Sequence, residues 1–127
     1  MGLAKCCCGA CAVDVEGGAT LNGVCHCDNC RRRTGTAFGW SIYVNDGQVR
    51  GKTGPLLAYE LPIEHPQTRW FCSQCGTTLF WKTALRPAET GIAGGCFEKL
   101  PPAPAVSVTD GRRTDWLSFA ERVRFIG

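Results

Sequence analysis

Three short cysteine clusters constrain this chain more than any other feature of its sequence. Eight of its ten cysteines lie in the segments 6–9, 25–30 and 71–76 of a chain of 127 residues. Such a density of cysteines is typical of a disulfide framework or of bound metal. The residues before the first cluster contain no long apolar core, so we expect no secretory signal, reduced thiols and a cytoplasmic location. Metal binding is therefore the favoured interpretation of the clusters.

The first and third clusters together predict one closed metal site. Cys72 and Cys75 form a Cys-x-x-Cys turn that directs two thiolates at one point, and the following Gly76 allows a positive φ there. Cys6 and Cys8 are two residues apart, so in an extended chain their side chains point to the same side. Four thiolates complete a tetrahedral site, which contributes folding free energy and no chemistry.

The second cluster predicts a site of a different kind. Cys25, Cys27 and Cys30 can converge on one metal ion and leave its fourth position free, as in catalytic rather than structural zinc sites. A site of this kind can accept the thiol of a substrate and lower the pKa of that thiol. These three cysteines are therefore the candidate catalytic residues.

Two other arrangements of the ligands stay open on the sequence alone. His26 lies inside the second cluster and could be a fourth ligand, which would close the site and make it structural. Alternatively, the cysteines of segment 25–30 could share a metal with those of 71–76, which would leave Cys6 and Cys8 outside any site.

The rest of the sequence predicts a mostly β fold. Alternating apolar and polar residues, with glycine and proline turns between them, indicate strands. These strands are expected at 11–16, 38–44, 56–61, 69–72, 77–81 and 106–108. Helical periodicity is scarce, with short helical turns expected after Cys27 and from about 115 to 122. The length suits one zinc-stabilised domain over residues 1–127.

The order of the three clusters closely resembles that of the glutathione-dependent formaldehyde-activating enzyme family, which also includes centromere-protein-V-like proteins. The matching motifs are Cys6-x-Cys8-Gly9-Ala10, Cys25-His26-Cys27-x-x-Cys30-Arg31 and Phe71-Cys72-x-x-Cys75-Gly76-x-x-Leu79. The resemblance covers about residues 4–81. It implies a β-tent-like fold with two zinc ions per chain. One ion would be held by Cys6, Cys8, Cys72 and Cys75, and the other by Cys25, Cys27 and Cys30.

The resemblance also implies an activity, the joining of glutathione to formaldehyde as S-hydroxymethylglutathione by a zinc-dependent carbon–sulfur lyase running in the synthetic direction. Arg31 follows the second cluster and is the candidate contact for a substrate carboxylate, although it would equally suit a solvated turn. The alternative function is a non-catalytic, zinc-stabilised glutathione carrier or protein-interaction module. A thiol reductase of the methionine-sulfoxide type ranks third, because only Cys7, Cys11 or Cys96 would be free to attack.

The charge of the chain gives no support for a nucleic-acid partner. The formal net charge of +3 counts every cysteine as neutral. Seven zinc-bound thiolates and two zinc ions would bring it to about zero. No run of residues approaches the roughly 18 apolar residues of a membrane span. We therefore expect neither nucleic acid nor membrane, and a small thiol and a small aldehyde as partners.

Overall fold

Strands are the main secondary structure of the protein, a computed structural model that describes residues 1–120 and 122–127. The strands are β1 (Gly2–Lys5), β2 (Ala12–Val15), β3 (Leu21–Cys25), β4 (Gly39–Asn45), β5 (Val49–Thr53), β6 (Leu56–Leu61), β7 (Gln67–Cys72), β8 (Thr78–Thr83), β9 (Glu89–Ala93), β10 (Val106–Val108) and β11 (Arg124–Ile126). One α-helix, α1 (Asp28–Thr34), follows β3, and short 3-10 turns lie at Asp46–Gln48, Gly94–Cys96 and Asp110–Arg112. The predicted mostly β fold is confirmed.

The strands form two sheets. The small sheet has the order β1-β2-β5, and the large sheet has the order β11-β10-β3-β4-β9-β8-β7-β6. Neighbouring strands are antiparallel, except that β10 runs parallel to both β3 and β11. The register of the β3–β10 pair places Val108 opposite Cys25, so the segment after β10 lies beside the second cysteine cluster.

All six predicted strands are present, with ends that differ by at most two residues from those expected. The helical turn expected after Cys27 is α1, but the one expected at 115–122 is wrong for residues 115–120 and 122, which contain no helix. A segment this short holds a helix only when one face packs against the protein, and Trp116 is 74% exposed. Glu121, the remaining residue of that prediction, lies outside the described part of the chain.

One apolar core joins the two sheets. Its buried members from the small sheet are Ala4, Val13 and Val15, and those from the large sheet are Ile42, Val44, Cys72, Leu79, Phe80 and Ile92, with Cys6, Cys11 and Phe97 between them. The first and third cysteine clusters therefore lie at the edge of this core, where the two sheets meet. Within the described residues, no helix has both the length and the apolar character needed to span a membrane.

Candidate metal centres

The four cysteines of the first predicted site lie in two similar turns. The turn after β1 closes with a hydrogen bond from the Gly9 amide to the Cys6 carbonyl at 3.0 Å. The turn between β7 and β8 closes in the same way, from the Gly76 amide to the Cys72 carbonyl at 2.8 Å. Both glycines have a positive φ, 78° at Gly9 and 79° at Gly76, as expected for Gly76 from the sequence. The turns aim their sulfurs at a common point.

The sulfur positions fit a tetrahedral ion. The Sγ atoms of Cys6, Cys8, Cys72 and Cys75 all lie within 4.8 Å of one another. The Cys6–Cys8 and Cys8–Cys72 separations are both 3.7 Å. Zinc–sulfur bonds of about 2.3 Å in a tetrahedron place neighbouring sulfurs about 3.8 Å apart. The Cys11 amide also donates to Cys6 Sγ at 3.2 Å, a contact that stabilises a thiolate. This cluster could hold a metal ion.

The second cluster depends on the junction between β3 and α1. Cys25 is the last residue of β3, and Cys27 is the N-cap of α1, where its sulfur accepts a hydrogen bond from the Cys30 amide at 3.4 Å. The helix ends at Gly35, which has a φ of 68° and donates its amide to the Arg31 carbonyl. Because the chain turns from strand to helix between them, all three Sγ atoms lie within 4.8 Å of one another.

His26 does not join the sulfurs. It is fully buried, and its Nε2 lies 2.8 Å from the Ser107 hydroxyl, which in turn donates to Asp110. Its ring packs against Phe38 and Phe119. Among the described histidine, cysteine and acidic residues, the second group of possible ligands contains the three cysteines and no fourth member. The structure therefore supports neither His26 as a ligand nor a shared site between the second and third clusters.

Ionisation of the second cluster depends on the close approach of its sulfurs. A hydrogen bond between the thiols of Cys25 and Cys30 lowers the pKa of Cys25 to about 5. The same contact raises the pKa of Cys30. Without a cation, the thiolate form of Cys25 is thus stabilised, whereas the thiolate form of Cys30 is disfavoured. A bound divalent ion would remove this conflict and favour ionisation of all three thiols.

A cavity of about 960 Å³ opens over the second cluster and is rich in arginine. All three cysteines line it, together with Arg32, Arg33, Arg69, Arg86 and Arg124, whereas its acidic residues are Asp28 and Glu64. Aliphatic side chains form much of the remaining wall, among them Leu61, Ile63, Leu85 and Ile126. A concave site of this size with convergent polar groups is suited to a small anionic ligand.

The arginine predicted to contact substrate lies apart from this wall. Arg31 is exposed on α1, donates to Asp28 Oδ1 at 2.6 Å and is not among the described residues that line the cavity. Its contact with substrate stays a prediction. Arg33, two residues further on, does line the cavity. The prediction at Arg31 pointed to this region, but nothing in the sequence singled out Arg69 or Arg86.

Three cysteines, Cys7, Cys11 and Cys96, belong to neither set of predicted metal ligands, and their surroundings differ. Cys11 is fully buried in the core, as predicted, and burial raises its pKa to about 12. Cys96 is half-buried, and burial raises its pKa to about 11. Cys7 is exposed. A raised pKa opposes the thiolate form that an attacking cysteine needs, so the reductase interpretation loses two of its three candidates.

Comparisons with known proteins point to one family. The family model described as glutathione-dependent formaldehyde-activating enzyme matches residues 2–110, a range that contains all three cysteine clusters. No curated protein matches the chain. Among solved structures, the chain is similar to the crystal structure of a Rhodobacter sphaeroides protein, with 24% sequence identity and a TM-score of 0.62. That similarity covers 79% of this chain and 91% of the other, and it bears on the fold alone.

Proposed function

Because the chain belongs to the family of glutathione-dependent formaldehyde-activating enzymes, we propose that it joins the thiol of glutathione to formaldehyde and releases S-hydroxymethylglutathione. The observation that carries this proposal is the convergence of Cys25, Cys27 and Cys30 at the wall of an arginine-rich cavity. In this reaction the enzyme acts as a carbon–sulfur lyase in the synthetic direction.

We assign one zinc ion to each of the two groups of possible ligands. Cys6, Cys8, Cys72 and Cys75 would hold a structural ion, since four sulfurs complete its coordination. The remaining cluster, Cys25 to Cys30, would hold the second ion, which supplies a free coordination position and lowers the pKa of a thiol that binds there. Soft thiolate ligands in a tetrahedral arrangement favour zinc over harder cations.

The cavity supplies the groups that would bind the rest of glutathione. This tripeptide carries two carboxylates and one ammonium group. Arg32 and Arg124 are the donors assigned to the carboxylates, because guanidinium groups bind carboxylates through paired hydrogen bonds. Asp28 and Glu64 are the acidic residues available to the ammonium group. Arg31, at the outer face of α1, is a further candidate for a carboxylate.

The test is enzymatic turnover above the spontaneous reaction. Exchange between ¹³C-formaldehyde and its glutathione adduct can be measured by NMR with and without the zinc-loaded protein, with the uncatalysed rate subtracted. We expect acceleration with glutathione and much less with 2-mercaptoethanol, which lacks the carboxylates. Glutathione binding without acceleration would identify a carrier instead, and the absence of both from a protein that holds two zinc ions would refute the proposal.

A further inference from the structure

Arg33 has a guanidinium group that is held beside the second cysteine cluster. Its Cζ lies 4.0 Å from the centre of the Trp81 ring, a distance typical of a cation–π contact. Trp81 is buried and fixed in turn by a hydrogen bond from its Nε1 to the Tyr43 hydroxyl at 3.1 Å. The position of Arg33 is therefore set by rigid aromatic neighbours.

A glycine in β4 leaves the space that this guanidinium occupies. A Cβ atom on Gly39 would lie 2.5 Å from Arg33 Nη2 and 3.1 Å from the Cβ of Cys30. The guanidinium nitrogen and the ligand cysteine thus border the same small space. Any thiol bound by the second cluster would have Arg33 as a close neighbour.

The Nη2 group of Arg33 is buried and, within the described part of the chain, has no hydrogen-bond acceptor. Two other arginines of the cavity already have partners, since Arg69 donates to Asn29 and Arg86 donates to both carboxylate oxygens of Glu89. A buried donor without an acceptor is costly and uncommon in folded proteins. An acceptor supplied by the substrate would satisfy it.

We propose that Arg33 is a catalytic residue whose Nη2 donates a hydrogen bond to the aldehyde oxygen during addition of the thiol. The inference rests on the proposed function. In the step, the thiolate sulfur of glutathione bonds to the carbonyl carbon, and the π electrons of the carbonyl move onto its oxygen. That oxygen then takes a proton from solvent, which gives the hemithioacetal. A buried cationic donor stabilises the developing negative charge.

The position of Arg33 favours the aldehyde oxygen over a carboxylate of glutathione. In the adduct, the oxygen is attached to the carbon that bonds to sulfur, whereas each carboxylate is separated from the sulfur by a peptide unit. Because Arg33 Nη2 and the Cβ of Cys30 border the same space beside Gly39, Nη2 lies close to the cysteine that would hold the metal, where the atoms bonded to the substrate sulfur are expected. Arg32 and Arg124 remain for the more distant groups of the tripeptide.

The experiment compares Arg33→Met and Arg33→Lys with Arg50→Met as the matched control. Arg50 is exposed on the small sheet and pairs with Glu16. For each protein, kcat is measured by exchange NMR, the Kd of glutathione by calorimetry, and zinc content by native mass spectrometry. We expect Arg33→Met to lose roughly 10²-fold in kcat, as for other oxyanion donors, with the Kd and both zinc ions unchanged. Arg50→Met should match the wild type.

Other outcomes distinguish a failure of this inference from a failure of the proposed function. A wild-type kcat in Arg33→Met, or a weaker Kd with kcat retained, would overturn the assignment, the latter by making Arg33 a binding residue. Should Arg33→Met fail to fold, Arg33→Lys decides, because lysine keeps the charge and loses the planar fork. We expect a lowered kcat there, and full activity would overturn the role. Absence of turnover in the wild type would refute the proposed function instead.

Discussion

Groups within a few ångströms of the sulfur shift the pKa of different cysteines of this protein in opposite directions. Cys75 lies 3.2 Å from the Thr77 hydroxyl, and this contact is the main reason that its pKa falls to about 5. Cys11 lies nearby in the core, but burial without such a donor raises its pKa. Thus cysteines close together in space have different pKa values.

Replacing Cys27 with serine tests the second site at the level of one atom. The sulfur of Cys27 both joins the three-thiol cluster and accepts the Cys30 amide at the start of α1. We expect Cys27→Ser to retain one zinc ion of two and to lose most of its affinity for glutathione, as measured by native mass spectrometry and calorimetry. Cys7→Ser, which removes an exposed thiol that belongs to neither set of predicted metal ligands, should keep both properties. Full zinc content with full thiol binding in Cys27→Ser would contradict the assigned site.

Gly39 allows a second test of the space beside Cys30. In Gly39→Ala the new Cβ would lie 2.5 Å from Arg33 Nη2 and 3.1 Å from Cys30 Cβ. The guanidinium, at the far end of a flexible side chain, would be displaced, whereas Cys30 would need to move by only a few tenths of an ångström, so the fold should survive. We expect kcat to fall toward that of Arg33→Met while zinc content and melting temperature stay near the wild type. Gly95→Ala is the control, because a Cβ at Gly95 would meet no atom within 4 Å. A wild-type kcat in Gly39→Ala would show that Arg33 need not occupy this position.

At the scale of elements, glycines in the strands show where backbone and side chains approach most closely. Gly91 in β9 lies against the indole of Trp81, and an added Cβ would sit 2.2 Å from its Nε1. Since Trp81 is buried and hydrogen-bonded to Tyr43, it cannot move away cheaply. We expect Gly91→Ala to lower the free energy of unfolding by about 1–3 kcal/mol, a typical cost of overpacking.

Urea unfolding of the zinc-loaded protein measures this change, with Gly51→Ala in β5 as the strand control. A Cβ at Gly51 meets nothing within 4 Å, so alanine there should be neutral or stabilise the strand by less than about 1 kcal/mol. Equal unfolding free energies for the two variants would contradict the packing of Gly91 against Trp81.

The same close contacts explain which elements were predicted from the sequence. The strands Leu56–Leu61 and Val106–Val108 were predicted with the observed ends. Among the described residues, five strands were missed, namely β1, β3, β5, β9 and β11, and all of them except β11 contain a glycine that lowers local strand propensity. At Gly23 the neighbouring Val106 approaches so closely that a Cβ would lie 2.7 Å from its Cγ2. Tertiary packing therefore favours glycine at this position, although a glycine in the local sequence pattern argues against a strand.

The cysteine clusters were predictable because the spacing within each cluster is local, whereas the cavity above the second cluster was not. Arg33, Arg69 and Arg86 belong to a helix, a strand and a turn that meet only through the strand order β4-β9-β8-β7. No periodicity in the sequence predicts that strand order. The burial of Arg33 Nη2 without an acceptor among the described residues, and the space beside Gly39, depend on the same long-range pairing of strands.

On the scale of the whole molecule, the two predicted sites have unequal structural consequences. The four-cysteine cluster links the turn after β1 in the small sheet to the β7–β8 turn in the large sheet, and two of its members, Cys6 and Cys72, are part of the shared core. The three-cysteine cluster joins only the end of β3 to α1, which follows it directly in the chain.

Loss of the first zinc ion should therefore destabilise the protein far more than loss of the second. Structural zinc contributes on the order of 10 kcal/mol to small domains, and 1 kcal/mol shifts the melting temperature of a chain this size by about 3 °C. We expect Cys75→Ser to lower the melting temperature by more than about 10 °C, and Cys27→Ser by only a few degrees. A chelator titrated into the wild type should remove the second ion first, with little change in near-UV circular dichroism. Unfolding would then accompany removal of the remaining ion, because the two sheets share a core that Cys6 and Cys72 close at one edge. Equal losses of stability in the two variants would contradict this division.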